Sequence, residues 1–204
     1  MQQPDYSTNP FGSPTTPPIE YLRVGFGKRL VAFLIDALIS ITVTLGIGLL
    51  FMALDLGVAQ VIQDQIDNIL SIYDMMGISK GLIDTMNSLL GGVITAGMIV
   101  GVLYPLIEGI TGASPGKRIL RITVATPDGH PGTIALYLKR YVIKGLGTLL
   151  QILALLPALG FLEGIGNIVG IVIFLGYFGV LSSARLALHD LIAQTAVYDV
   201  QDIR

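Results

Sequence analysis

Two ionisable side chains stand where a membrane makes charge expensive. Arg29 opens, and Asp36 lies within, an apolar run that continues from Leu30 to Leu54. Their seven-residue separation is about two turns of a helix at ~3.6 residues per turn, so both fall on nearly the same face. A carboxylate in a membrane helix must face protein or water and have a partner. A second carboxylate, Asp190, follows the last apolar run directly after His189. One chemistry open to this set is ion movement. Asp36, its pKa raised by desolvation and lowered by a nearby arginine, would alternate between a proton and a monovalent cation. Arg29 would tune it, while Asp190 and His189 would line the cytoplasmic mouth, the imidazole titrating near neutral pH. The other reading is a structural clamp. Asp36 would accept a hydrogen bond from Arg140, Lys144 or a backbone amide, and Asp190 would pair with Arg29, Lys117 or Arg118. The sequence has no Cys and two His, and no nucleophile–base pair or metal-ligand set. No enzyme, cofactor or metal site is expected.

These residues need elements to hold them. The chain has 204 residues, 52% of them hydrophobic and 13% charged, with a mean hydropathy of +0.75. That is the balance of an all-α integral membrane protein. At ~1.5 Å rise per residue, about 20 apolar residues cross a ~30 Å hydrocarbon core. Four stretches qualify, at about 30–54, 89–110, 142–160 and 164–184, the last ended by Arg185. Gly97–Gly101 and Gly166–Gly170 are GxxxG pairs that signal close helix packing. Pro105 should kink the second span near Glu108. Residues 1–19, rich in Pro, Ser and Thr, read as a disordered tail, leaving 20–204 as the membrane domain. Between the first two spans, apolar residues recur at three- and four-residue steps over about 58–76, which predicts an amphipathic helix on the outer face.

The connection between spans two and three reads Thr111-Gly-Ala-Ser-Pro-Gly-Lys117-Arg118, then a β-branched alternation to Ala125 and the turn residues Pro127-Asp-Gly129. This predicts a small cytoplasmic β-hairpin over about 118–134, to which the second half of 191–200 could add a third strand. Gly116-Lys117 is no phosphate-binding loop, because Arg118 stands where Ser or Thr is needed and the Walker spacing is absent. It reads as a glycine-bearing turn that puts charge beside lipid headgroups. Basic residues gather before span one, between spans two and three, and at Arg185, whereas Asp residues dominate the loop after span one. The positive-inside rule then places both termini in the cytoplasm. The net charge of −2 gives no reason to expect a nucleic-acid partner.

Four blocks in order resemble the RDD family of small integral membrane proteins common in bacteria. They are Gly27-Lys-Arg29, Asp36, the stretch from Thr111 to Val124 followed by Asp128-Gly129, and His189-Asp190 through Val197. Together they run over most of the chain. The resemblance implies that Arg29 is the family's arginine, Asp36 its first aspartate and Asp190 its second. It also implies a bacterial plasma membrane location, and a role either in ion/proton antiport, attributed to some members, or as a scaffold or assembly partner. A four-span pathway is thin, so a homo-oligomer or another membrane protein is the expected partner besides the lipid bilayer.

Overall fold

A computed structural model describes residues 22–54, 56, 71–73, 75–77 and 79–204. The first long helix, α1 (Phe26–Ala53), takes in Arg29, Asp36 and the whole expected first span. The second, α2 (Lys80–Thr111), begins nine residues earlier than the apolar stretch that marks it and runs through Pro105. Its early start absorbs the short piece around Leu82–Asn87, where Ile83 and Met86 pack with Tyr73. Most of the expected outer amphipathic helix, and the tail 1–19, lie outside the described residues.

Among the described residues, three segments are long and apolar enough to cross a membrane: Phe26–Ala53, Gly81–Thr111 and Leu162–Leu181. The expected third span is not a single helix. Its place is taken by α4 (Ile134–Lys144) and α5 (Leu146–Leu153), with Gly145 as the C-cap of one and the N-cap of the other, and then by a 3₁₀ turn at Pro157–Leu159. The physical reason lies in the residues. Gly145 and Gly147 weaken a helix interior, and Pro157 cannot continue one. The helix α6 (Leu162–Gly176) extends by a 3₁₀ turn to Leu181.

The remaining elements gather at one end of the bundle. They are the five-residue α3 (Pro115–Ile119), β1 (Ile122–Ala125), the six-residue α7 (Leu188–Ala193) and β2 (Ala196–Asp199). The strands pair antiparallel, Ile122 opposite Asp199 and Ala125 opposite Ala196. The expected hairpin over 118–134 is therefore corrected. The return after Pro127-Asp-Gly129 makes only a bridge between Ala125 and Pro131, because Pro131 has no amide to extend the ladder. The C-terminal strand is the true partner of β1. On its other edge Arg23 bridges Tyr198, and the Val24 amide donates to the Val197 carbonyl at 2.8 Å.

Burial is concentrated at this end. Ile122, Val124, Val197, Val24 and Ala32 form a small apolar core, and Tyr198 is fully buried beside it. The long helices do the opposite, exposing Phe33, Leu38, Leu49, Ile168 and Phe174 among many others. Such an apolar exterior suits lipid rather than water. Where helices do touch, glycines bring them close. A Cβ at Gly92 would lie 2.5 Å from the Gly48 carbonyl oxygen, and one at Gly147 would meet both Gly166 and Gly170 at 2.8 Å. The Gly166–Gly170 pair thus packs as its spacing suggests. Gly101 would meet nothing, and the α1–α2 crossing falls at Gly92 instead.

This packing yields a prediction. Gly92→Leu forces α1 from α2 and should destabilise the protein by ~1–3 kcal/mol, the usual cost of overpacking. Gly46→Ala, where a Cβ meets nothing within 4 Å, should be neutral or slightly stabilising. Thermal unfolding of both variants in one detergent checks the difference, and equal midpoints would refute this crossing.

Candidate functional site

The segment Thr111-Gly-Ala-Ser-Pro-Gly-Lys117 is where the chain leaves α2, and each residue in it has a task. Gly112 ends α2 in the left-handed conformation, at φ 75°, with the Tyr137 ring over its Cα. Ser114 caps α3 by accepting from the Lys117 amide, and Pro115 occupies the first helical position, where no amide is missed. Gly116 lies against α1 so closely that a Cβ would sit 2.3 Å from the Ala32 carbonyl oxygen. That contact delivers the segment to Asp36. The Ser114 hydroxyl donates to Asp36 Oδ2, and the Gly116 amide to Oδ1 at 2.7 Å. Tyr104, from α2, donates its hydroxyl to Oδ1 at 2.8 Å. Asp36 is therefore held by a backbone amide and two hydroxyls, not by Arg140 or Lys144.

Arg29 reaches elsewhere despite sharing a face with Asp36. Its Nε donates to the Val24 carbonyl at 3.0 Å and one terminal nitrogen to the Arg185 carbonyl at 2.9 Å. The other terminal nitrogen lies 2.5 Å from Asp190 Oδ2. Arg29 is 2% exposed and Asp190 fully buried. Asp190 Oδ2 also caps its own short helix through the Ala187 amide at 3.2 Å. Its Oδ1 accepts from Arg140 Nε at 2.9 Å and, more weakly, from the Thr195 hydroxyl.

Arg140 carries the network onward. Beyond Asp190 it pairs with Glu108, and its other terminal nitrogen lies 3.1 Å from His189 Nε2. Glu108 also takes Lys117 at 2.7 Å and Lys144 at 3.5 Å. One carboxylate near the end of α2 thus faces three cations from α3 and α4. Glu108 was visible in the sequence as an ionisable residue closing an apolar span, but nothing local named its partners. Tyr104 and Ser114 were likewise unforeseen. Lys117 is buried on Glu108 rather than lying beside headgroups, since only α3 can bring it there. Arg118, one position on, is exposed and outside the cluster. Arg185 enters through its carbonyl, while its guanidinium donates to the Arg23 carbonyl. Arg23 in turn ties Tyr198, Ala184 and Pro127 together.

The electrostatics follow from these contacts. Burial alone would push the Asp190 carboxyl up, but the guanidiniums of Arg140 and Arg29 prevail and hold it well below the usual carboxylate range. Burial and adjacent Arg140 push His189 far below its ordinary value, so it is neutral and accepts through Nε2. Its Nδ1 has no partner among the described residues. Burial lowers Lys117 to about 8, which leaves it mostly cationic at neutral pH.

Above this network lies a cavity of about 460 Å³. Arg29, Glu108, Lys117, Arg140, Lys144 and His189 line its polar end, and Asp36 also borders it. Residues 23–194 match the RDD family. The chain belongs to the RDD family. Searches of the curated proteins and of the solved structures found no match. In this RDD protein, Arg29 and Asp190, 161 positions apart, meet as an ion pair, while Asp36 lies outside that pair in its own cradle of neutral donors.

That separation is testable. Removing one partner of a buried pair leaves an uncompensated charge, so Asp190→Asn and Arg29→Gln should each destabilise by ~3–5 kcal/mol. Combined, they should recover only part of the loss, because Arg140 keeps half of Asp190's role. Arg29→Gln with Asp36→Asn should instead be additive within about 0.5 kcal/mol, having no shared partner. The pH dependence carries a sign. Asp190 titrates near ~3.9 when unfolded and lower when folded, so below about pH 4 the unfolded chain binds the extra proton. Its stabilisation is complete above that pH and is lost on acidification. Denaturation of wild type and Asp190→Asn between pH 3 and 6 should show a shallower acid limb in the variant.

Proposed function

We propose that this RDD protein is a membrane scaffold or assembly partner, with Arg29, Asp190, Arg140 and Glu108 serving as a structural clamp rather than an ion path. One observation carries this reading. Every carboxylate of the set is engaged by donors from at least two other elements, and none is left for a travelling ion. The Asp190 oxygens take Arg29, Arg140 and the Ala187 amide, and the Asp36 oxygens take Tyr104, Ser114 and Gly116. The cluster also carries four cations, Arg29, Lys117, Arg140 and Lys144, against the three carboxylates Asp36, Glu108 and Asp190. A surplus of positive charge repels cations.

The second reading, movement of protons or monovalent cations, draws support from Asp36 and Glu108 bordering the same cavity. In both readings the protein crosses a bacterial plasma membrane four times with both termini inside. The ends of α1, α2 and the Leu162–Leu181 helix that carry Arg29, Glu108 and Tyr177 all meet the one charged cluster. The chain between α2 and α6 must therefore run the length of the bundle, and α4 with α5 is the segment available to do so. Basic Lys117, Arg140 and Lys144 at that end favour the cytoplasmic side. A homo-oligomer built on the exposed apolar helix faces remains part of the proposal.

Two experiments test these statements. Asp128 and Met75 are both exposed, so cysteines placed there should react with an impermeant reagent from opposite sides of the membrane. Reaction of both from one side would remove the four-crossing topology. Asp36→Asn keeps the shape of the carboxylate but no longer titrates. In liposomes under an imposed ion gradient, the clamp reading expects the variant to match the wild type in showing no ion-driven pH change, with a lowered thermal midpoint. A wild-type pH change abolished in the variant would establish the ion path instead.

A further inference from the structure

The cavity has two unlike halves, and their combination is informative. Its polar end holds Lys117, Arg140 and Lys144 around the single carboxylate of Glu108. Lys144 is the loosest of the three, 3.5 Å from Glu108 and with its side chain 41% exposed. Its other half is apolar and lies between α1 and α6, lined by Leu30 and Phe33 on one side and Ile173 and Phe174 on the other. These two helices scarcely touch along their lengths. Phe26 stacks on Phe178 at 6.2 Å just beyond the end of α6, while Phe33 and Phe174 stay more than half exposed. Phe33 and Phe174 at its rim thus put the opening of this half on the apolar side of the bundle, the side suited to lipid.

We infer that this cavity binds an anionic phospholipid from the bilayer, its phosphate held by Lys144 and Lys117 and an acyl chain lying between Phe33 and Phe174. Charge complementarity supplies the argument for this occupant. Glu108 is shared by Lys117, Arg140 and Lys144, and only Arg140 has Asp190 as a second partner, so the positive charge left unbalanced lies at the lysines. A phosphate beside Lys144 offsets it without breaking the Arg29–Asp190 pair. Basic pockets between membrane helices on the cytoplasmic side are suited to anionic headgroups. The volume of about 460 Å³ falls within the ~300–1,000 Å³ of small-molecule sites. Glu108 and Asp36 face the same space, so the head must approach from the lysine side. A free anion would gain the lysines but leave the apolar half unused. The inference rests on the membrane location argued above, but on neither the clamp nor the ion-path reading.

The test uses the full-length protein in a neutral detergent, freed of lipid and titrated with phosphatidylglycerol or phosphatidylcholine, with bound lipid counted by native mass spectrometry. Phosphatidylglycerol should bind at least about fivefold more tightly than phosphatidylcholine, with a preference that weakens as salt rises. Lys144→Gln, at a partly exposed site, should lose most of that preference. Gly170→Leu should reduce the binding of both lipids. Gly170 lines the cavity, and a Cβ there meets nothing within 4 Å, so the larger side chain fills the cavity and leaves the cations in place. Glycerol phosphate, the head without the chains, should fail to compete at concentrations that saturate the lipid. Equal binding of the two lipids by the wild type, or wild-type phosphatidylglycerol binding by both variants, would overturn the proposal. Effective competition by glycerol phosphate would show a site for soluble anions instead. None of these outcomes depends on whether Asp36→Asn alters ion flux.

Discussion

Two guanidiniums meet on one buried carboxylate, and the charged end of the molecule depends on that meeting. Asp190 is fully buried, and its ionised form is tolerable there only because Arg29 and Arg140 supply opposite charge and fixed donors. The helix bearing it has six residues, too few to be stable alone. The sheet beside it has two strands of four residues, which is marginal for an isolated pair. Neither element has the apolar area to fold by itself. The ion network attaches the short helix to α1 and α4, while the Lys28–Asp199 pair, the Val24–Val197 hydrogen bond and the apolar core with Ala32 attach the sheet to α1, so that local fragments become one packed end.

The rest of the molecule obeys a different balance. Away from this end the helices turn apolar side chains outward, so burying hydrocarbon from water contributes little to holding them together. What remains is close packing at glycines, Gly48 on Gly92 and Gly147 on Gly166 and Gly170, with polar links from Gln151 to Asn167 at 2.8 Å and from the Tyr141 hydroxyl to the Val102 carbonyl at 3.0 Å. The charged end sets the order and spacing of the helix ends, and the glycines set how closely the helices approach farther along. Between α1 and α6 neither device operates, and there the cavity opens.

The long apolar helices and the importance of Arg29, Asp36 and Asp190 were legible because charge in an apolar run is rare and conspicuous. The pairing of those residues was not. Helical periodicity places Arg29 and Asp36 on one face, but a guanidinium on a long stem chooses its partner by tertiary approach, and Asp190 comes from 161 positions away. The cradle of Asp36 depended on Gly116 touching α1, a contact for which the sequence signal was only a small residue in a turn. The hairpin was misjudged for a similar reason. Turn residues after β1 were plain, but the return reaches β1 only at Pro131, which has no amide to donate, and β2 from the end of the chain supplies the ladder instead. The break of the third stretch at Gly145 was not foreseen, because composition alone does not register it. Glu108 was noticed only as a charge at a boundary, since its three cations come from two separate later elements.

The charge arrangement also bears on what can move. A carboxylate that carries an ion must exchange its ligands, and every exchange must leave the surrounding donors satisfied. Asp190 cannot do so cheaply, because releasing Arg29 strands a guanidinium that is 2% exposed. Asp36 is held by donors fixed at three points on α2 and α3, including a backbone amide that cannot rotate away. Lys144 is different. It is partly exposed, its contact with Glu108 is long, and Glu108 keeps Arg140 and Lys117 if Lys144 swings aside. The freedom in this network therefore sits on a cation rather than on a carboxylate. A site whose mobile group is positive is arranged to meet an anion, and its opening between two apolar helices determines from which side that anion arrives.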